Sequence, residues 1–93
     1  MKKALVLAEK DNVAVVLDDV ISGEKVEIAG LGTQDILHSR DTLNLAHKIA
    51  LLDIPKGEAV LKYGEVIGIA VNDIPRGSHV HIHNIQSTRI GGH

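Results

Sequence analysis

The run His79-Val80-His81-Ile82-His83-Asn84 alternates imidazoles with apolar residues. Imidazole is the one side chain that both ligates transition metals and exchanges protons near neutral pH. Successive side chains on a β-strand point to opposite faces, so a strand here puts His79, His81 and His83 on one side and turns Val80 and Ile82 toward a core. A rise of about 3.3 Å per residue separates His79 from His83 by roughly 13 Å. Metal–imidazole bonds are only about 2 Å long. Neighbours such as His81 and His83 can bracket one ion, but all three reach it only if the strand bends, and further ligands must come from elsewhere. The same spacing also suits a solvated sheet face or a buried interface. His47-Lys48 and Lys62-Tyr63-Gly64 are the other polar candidates, and each also reads as an ordinary solvated strand end or turn. His38 and His93 read as surface groups.

The elements that must position these residues announce themselves by repetition. Asp19-Val20-Ile21-Ser22-Gly23-Glu24-Lys25-Val26, Asp53-Ile54-Pro55-Lys56-Gly57-Glu58-Ala59-Val60 and Asp73-Ile74-Pro75-Arg76-Gly77-Ser78-His79-Val80 share the pattern Asp-(Val/Ile)-x-x-Gly-x-x-Val. Each copy follows an apolar run, at 13–17, 49–52 and 66–71. These runs have strand length rather than helix length, and their β-branched residues suit a pleated surface. Pro55 and Pro75 are expected at the first central position of a turn, and Gly23, Gly57 and Gly77 where φ is positive. Tyr63-Gly64-Glu65 supplies another turn. The segment 31–46 has no sustained period and is expected to be a loop with at most one helical turn, and residues 90–93 a flexible tail. The pattern predicts a mostly β, single small domain of repeated strand-turn-strand units.

Ninety-three residues with 44% apolar content make one modest core, with an expected radius of gyration of roughly 12 Å. Tyr63 is the sole aromatic residue, so that core is packed from Val, Ile, Leu and Ala. A chain of this size has little room to enclose a deep substrate cavity by itself. Its net charge of −2 comes without a basic stripe or aromatic platforms, which excludes the usual nucleic-acid signatures. No apolar run approaches the ~20 residues of a membrane-spanning helix. The apolar run Ala4–Ala8 is short for a secretory signal. The absence of cysteine removes disulfide and thiolate chemistry. A cytoplasmic location is the expectation.

Five stretches in order carry a family resemblance: Asp11-Asn12-Val13-Ala14-Val15; His47-Lys48-Ile49-Ala50-Leu51; Asp53-Ile54-Pro55-Lys56-Gly57; Lys62-Tyr63-Gly64 with Ile67-Gly68; and Gly77-Ser78-His79-Val80-His81-Ile82-His83-Asn84. Together, over roughly residues 11–89, they resemble the N-terminal domain of altronate and galactarate dehydratases, a SAF-type domain of β-clip fold. The chain departs from that pattern at Leu43-Asn44-Leu45-Ala46, where relatives carry an Ile-Pro-x-Gly turn before the His-Lys pair.

The resemblance implies a role in β-elimination from a 2-hydroxy acid. In fused relatives a large catalytic domain follows; a chain that stops at His93 resembles the split arrangement, with a separate large catalytic subunit as partner and a sugar acid as substrate. The small subunit of (2R)-sulfolactate sulfo-lyase is a similar case. It further implies a divalent metal, Fe²⁺ or Mn²⁺, in the assembled enzyme. On this basis His47, His81 and His83 are the catalytic candidates, and His81 and His83 the metal candidates. His79, Asn84, Lys48, Lys62 and Tyr63 would face substrate or partner. A non-catalytic SAF-type binding module and a small metal-carrying protein are the competing readings.

Overall fold

The computed structural model describes residues 1–87. Nine strands make up its regular structure: β1 (Lys2–Leu5), β2 (Val13–Val16), β3 (Lys25–Gly30), β4 (Thr33–His38), β5 (Lys48–Ala50), β6 (Ala59–Lys62), β7 (Glu65–Ala70), β8 (His79–Val80) and β9 (Ile85–Ser87). They form a six-stranded sheet of order β4-β3-β1-β2-β5-β8 and a three-stranded sheet of order β6-β7-β9. Strands β1 and β3 run parallel, and the other pairs are antiparallel. The Cα radius of gyration is 12.4 Å, as the chain length leads one to expect.

Two aliphatic cores flank the middle of the larger sheet. Ala4, Ala14, Val16, Val20, Val26, Ile28, Leu43 and Ile49 belong to the first, and Val13, Ala50, Ile54, Val60, Ala70, Ile74 and Val80 to the second. Strands β2 and β5 therefore bury both faces, Ala14 and Ile49 toward one core and Val13 and Ala50 toward the other. The apolar residues Val13–Val16 of β2 and Ile49 and Ala50 of β5 follow from this, since a strand covered on both sides has no place for polar alternation there. Each fully buried Val, Leu or Ile contributes roughly 1.5–3 kcal/mol of transfer free energy, which lets branched aliphatics replace aromatic bulk.

The repeated turn occurs four times, once more than the sequence pattern shows. Carbonyls of Ile21, Asn44, Pro55 and Pro75 accept from the N–H groups of Glu24, His47, Glu58 and Ser78 at 3.0, 3.0, 3.0 and 3.1 Å. The third residue of each turn has positive φ: Gly23 (92°), Ala46 (74°), Gly57 (91°) and Gly77 (89°). The prolines thus occupy the first turn position, not the first central one; the φ-positive glycines fall where expected. At Gly77 the requirement is double, because a Cβ there would lie 2.6 Å from the His38 carbonyl oxygen.

The turns interlock in pairs. Val20 and Leu43 exchange two backbone hydrogen bonds of 2.8 Å, and so do Ile54 and Ile74. Within each pair, the residue before the bridge caps the opposite turn. Asp19 accepts from Leu45 N–H, Asp53 from Arg76 N–H and Asp73 from Lys56 N–H, at 2.8, 2.8 and 2.9 Å. Thr42 Oγ1 does the same for Ser22 N–H at 3.2 Å. Thr42 and Ala46 replace the Asp and Gly of the other copies, which is why the fourth copy escapes the sequence pattern.

The expected loop at 31–46 is corrected on the same ground. Its first part is β4, paired along all of β3, and its last part is the fourth turn. Leu31 (φ 56°) and Gly32 (φ 71°) form the tight β3–β4 connection, as Tyr63 (φ 56°) and Gly64 (φ 78°) form that of β6–β7. The tail expected at 90–93 lies outside the described residues.

Candidate functional site

The imidazoles meet where β5 pairs with β8, with Lys48 opposite Val80 and Ile49 opposite His79. His47 directly precedes β5 and is delivered by the turn at Ala46. His79 opens β8 and His81 follows it. His47 Nδ1 and His79 Nε2 are 2.9 Å apart, a hydrogen bond in which one nitrogen carries the proton and the other accepts it. The His47 and His81 rings stack at a centroid distance of 4.6 Å, and those of His79 and His81 at 5.4 Å. One nitrogen from each of the three lies within 4.8 Å of the others.

The extended strand expected over His79–Asn84 stops at Val80. Residues 81–84 fold into a turn, with Asn84 N–H donating to His81 C=O at 3.0 Å. Two predictions change with it. The His83 ring lies 5.2 Å from that of His79 instead of at strand separation, and Ile82 is 82% exposed instead of buried in a core. The reason is Asn84, expected to face substrate or partner but only 8% exposed. Its Oδ1 accepts from His81 N–H at 2.9 Å and its Nδ2 donates to His79 C=O at 2.8 Å. Those bonds replace the strand ladder and hold the bend that gathers the rings.

Burial is the main cause that lowers the His79 imidazole below its ordinary value; His47, His83 and His81 add to it, and Asp41 opposes. His81 is lowered by burial, then by His47, Lys48 and His83. Both rings are thereby biased to the neutral form, which ligates metal and accepts protons. The carboxylate of Asp41 accepts from the backbone N–H of His79 at 2.8 Å, a support that no sequence motif signals across 38 residues.

Lys48 of β5, Lys62 at the end of β6 and Tyr63 in the β6–β7 turn line a groove with Ile67, Ile82 and Ile85. Burial, and then Lys62, lower the Lys48 ammonium below the usual lysine value. Lys62 Nζ sits 4.9 Å from the centroid of the Tyr63 ring. Asp11, buried and unremarked as a site residue, fixes the Tyr63-Gly64 turn by accepting both N–H groups at 2.9 and 2.8 Å. The gathered set is therefore His47, His79 and His81 with His83 beside it, and Lys48, whose charge reaches His81, lines a neighbouring groove with Lys62 and Tyr63.

The donor chemistry of the triad fits a first-row transition metal. Tetrahedral ligand nitrogens 2.0–2.1 Å from a cation stand about 3.3 Å from each other, so rings whose nitrogens lie within 4.8 Å of one another need only modest adjustment to share one. An all-imidazole set suits iron, zinc, nickel or copper better than manganese, which favours oxygen donors.

A sequence profile of the altronate/galactarate dehydratase SAF domain matches residues 2–88. The chain belongs to this SAF domain family. It is 34% identical to altronate dehydratase of Bacillus subtilis (strain 168) over 94% of its length, and 44% identical to that of Escherichia coli (strain K12) over 83%. It covers only 17% and 15% of those two relatives, so the shared part is the SAF domain alone. The (2R)-sulfolactate sulfo-lyase subunit alpha of Chromohalobacter salexigens is 40% identical over 54% of the chain and 53% of its own length. All five motifs that carry the resemblance fall inside the matched SAF region.

Proposed function

We propose that this SAF domain is the small, accessory subunit of a two-subunit carbon–oxygen lyase. Its partner is a large catalytic subunit, and its reaction is dehydration of a sugar acid such as altronate or galactarate to a 2-keto-3-deoxy acid. The observation that carries the reading is the convergence of His47, His79 and His81 in a domain whose relatives are sugar-acid dehydratases. Relatives named as a subunit of a sulfo-lyase support the two-subunit arrangement and keep sulfolactate as the second candidate substrate.

In such a reaction the proton beside the carboxylate is removed, the 3-hydroxyl leaves as water, and the resulting enol tautomerises to the 2-keto acid. A divalent cation held by His47, His79 and His81 would act as a Lewis acid toward a 2-hydroxy carboxylate; Fe²⁺ suits this donor set better than Mn²⁺. Three protein ligands leave a position open for substrate, the pattern of catalytic rather than structural sites. His83 stands outside the triad, exposed beside His79, and in this reading it would take or give a proton at its imidazole. Asn84 and the Ala46 turn hold the rings in place. Location in the cytoplasm accords with such a metabolic role.

Turnover of altronate, galactarate and sulfolactate by the chain mixed with its large subunit tests this reading. His81→Ala and His83→Ala are expected to reduce turnover by 10²-fold or more, whereas Val80→Ala lowers thermal stability by opening a core cavity. Full turnover by both histidine variants would contradict the proposal, as would robust turnover by the small chain alone.

A further inference from the structure

Asp41 lies outside all five motifs that carry the family resemblance, yet it links the two elements that carry His47 and His79. Its Oδ2 accepts the backbone N–H of His79 at 2.8 Å. One residue earlier, Arg40 N–H donates to the Gly77 carbonyl at 2.9 Å. The backbones can come this close because Gly77 has no Cβ to meet the His38 carbonyl oxygen. Ser39 Oγ donates to the Asp41 carbonyl and holds the residue in place. Residues 38–41 are thus seated along Gly77–His79.

In the other direction, Asp41 leads into the turn that delivers His47. Leu43 exchanges two 2.8 Å hydrogen bonds with Val20. Ala46 N–H donates to the Val16 carbonyl, and Val16 N–H to the His47 carbonyl, both at 2.9 Å. The path from Asp41 to His47 is pinned at each of these points. A movement of His79 against Asp41 is therefore also a movement of His79 against His47.

Charge acts in the same place. Among the described residues that shift the His79 and His81 values, Asp41 is the one carboxylate and Lys48 the one lysine. The ion pairs among the described residues are Lys2–Glu24 and Arg76–Asp35, and neither takes up Asp41. Three neutral imidazoles bring no charge to a dication, and Lys48 repels one. A carboxylate close by offsets both effects.

We propose that Asp41 is a positioning residue for the imidazole site, which sets the separation of His47 and His79 through the His79 backbone and raises the affinity of the three rings for a divalent cation through its charge. The proposal rests on the reading of His47, His79 and His81 as a metal-binding group. Asp41 is not one of the residues whose ligand atoms gather there, and it acts through His79.

Two variants of the full chain separate the two actions. Asp41→Asn keeps an oxygen that accepts the His79 N–H but removes the charge, and Asp41→Ala removes both. In the metal-free chain, nuclear Overhauser contacts between the His47 and His79 rings should persist in Asp41→Asn and weaken in Asp41→Ala. At low salt, Co²⁺ affinity should fall about three- to tenfold in Asp41→Asn, with the loss shrinking as salt is added. In Asp41→Ala it should fall further, by about tenfold or more. Glu9→Gln removes the same charge beside another groove and should leave the affinity unchanged. The rest of each spectrum reports that the variant is folded. Equal Co²⁺ affinity in the wild type and Asp41→Asn would overturn the proposal, as would an equal loss in Glu9→Gln, or ring contacts retained in Asp41→Ala. A wild-type chain that binds no Co²⁺ would overturn the metal reading and this proposal with it. Wild-type binding that Asp41→Asn leaves intact would overturn this proposal alone, so the two failures are distinguishable.

Discussion

His47 Nδ1 and His79 Nε2 stand 2.9 Å apart although 32 residues separate them in the chain. Two copies of one turn produce this contact. The turn ending at His47 starts β5, the turn ending at Ser78 starts β8, and these strands pair antiparallel. A repeated structural unit, used twice, thus brings together imidazoles from distant parts of the sequence.

Ala46 carries backbone strain at this point, with φ at 74° in a turn whose other three copies place glycine there. Left-handed backbone costs an L-residue roughly 1–2 kcal/mol, part of which glycine loses again through its greater unfolded-state entropy. Ala46→Gly is therefore expected to stabilise the chain by roughly 0.5–1 kcal/mol. Thermal denaturation should show the midpoint rise by about 3–6 °C. A lower midpoint would mean that the alanine methyl makes a compensating contact.

The bend that follows β8 depends on Asn84. Asn84→Ala leaves His81 N–H and His79 C=O without their side-chain partners, at a cost of about 1–3 kcal/mol. Contacts between the His79 and His83 rings, measured by nuclear Overhauser effects, should weaken or vanish in the variant. Retained ring contacts with wild-type stability would show that the bend is held by something else.

Protonation should work against the folded chain. Both His79 and His81 have values lowered in the fold, so the unfolded state binds more protons just below the ordinary imidazole value of about 6.5. Stability consequently rises with pH across that region, is complete above it, and is lost as the pH falls toward the lowered values. Urea unfolding of metal-free chain across pH 5–7.5 checks the sign, and the dependence should flatten when both residues are replaced by Gln. An increase in stability on acidification through this window would contradict the assignment.

Much of the fold is legible in the sequence because turn chemistry is local. Gly23, Gly57 and Gly77 mark positive φ in three turns, and the apolar runs beside them become β2, β5 and β7. The fourth turn is hidden because what matters physically is an acceptor before the bridge and a residue tolerating positive φ after it. Thr42 and Ala46 meet those needs with different side chains. Strand β4 escapes notice because it is polar: it lies at the sheet edge, where Gln34, Asp35 and Ile36 are exposed and need show no apolar run. At the site, alternation correctly places His79 and His81 together. It fails from Ile82 onward because the Asn84 side chain ends the strand through two hydrogen bonds that periodicity does not encode. The contribution of His47 depends on the pairing of β5 with β8, a long-range relationship that the sequence pattern leaves open.

The claim that His47, His79 and His81 form one metal-binding group is tested most directly by titrating the chain with Co²⁺, a spectroscopic stand-in for a first-row divalent ion. The geometry predicts one equivalent bound through imidazole nitrogens, with the visible absorption of a low-coordinate cobalt site. His47→Ala should weaken binding at least tenfold, while His38→Ala, exposed and outside the gathered set, should leave it unchanged. Binding that is absent in the wild-type chain, or that survives intact in both His47→Ala and His81→Ala, would contradict the account.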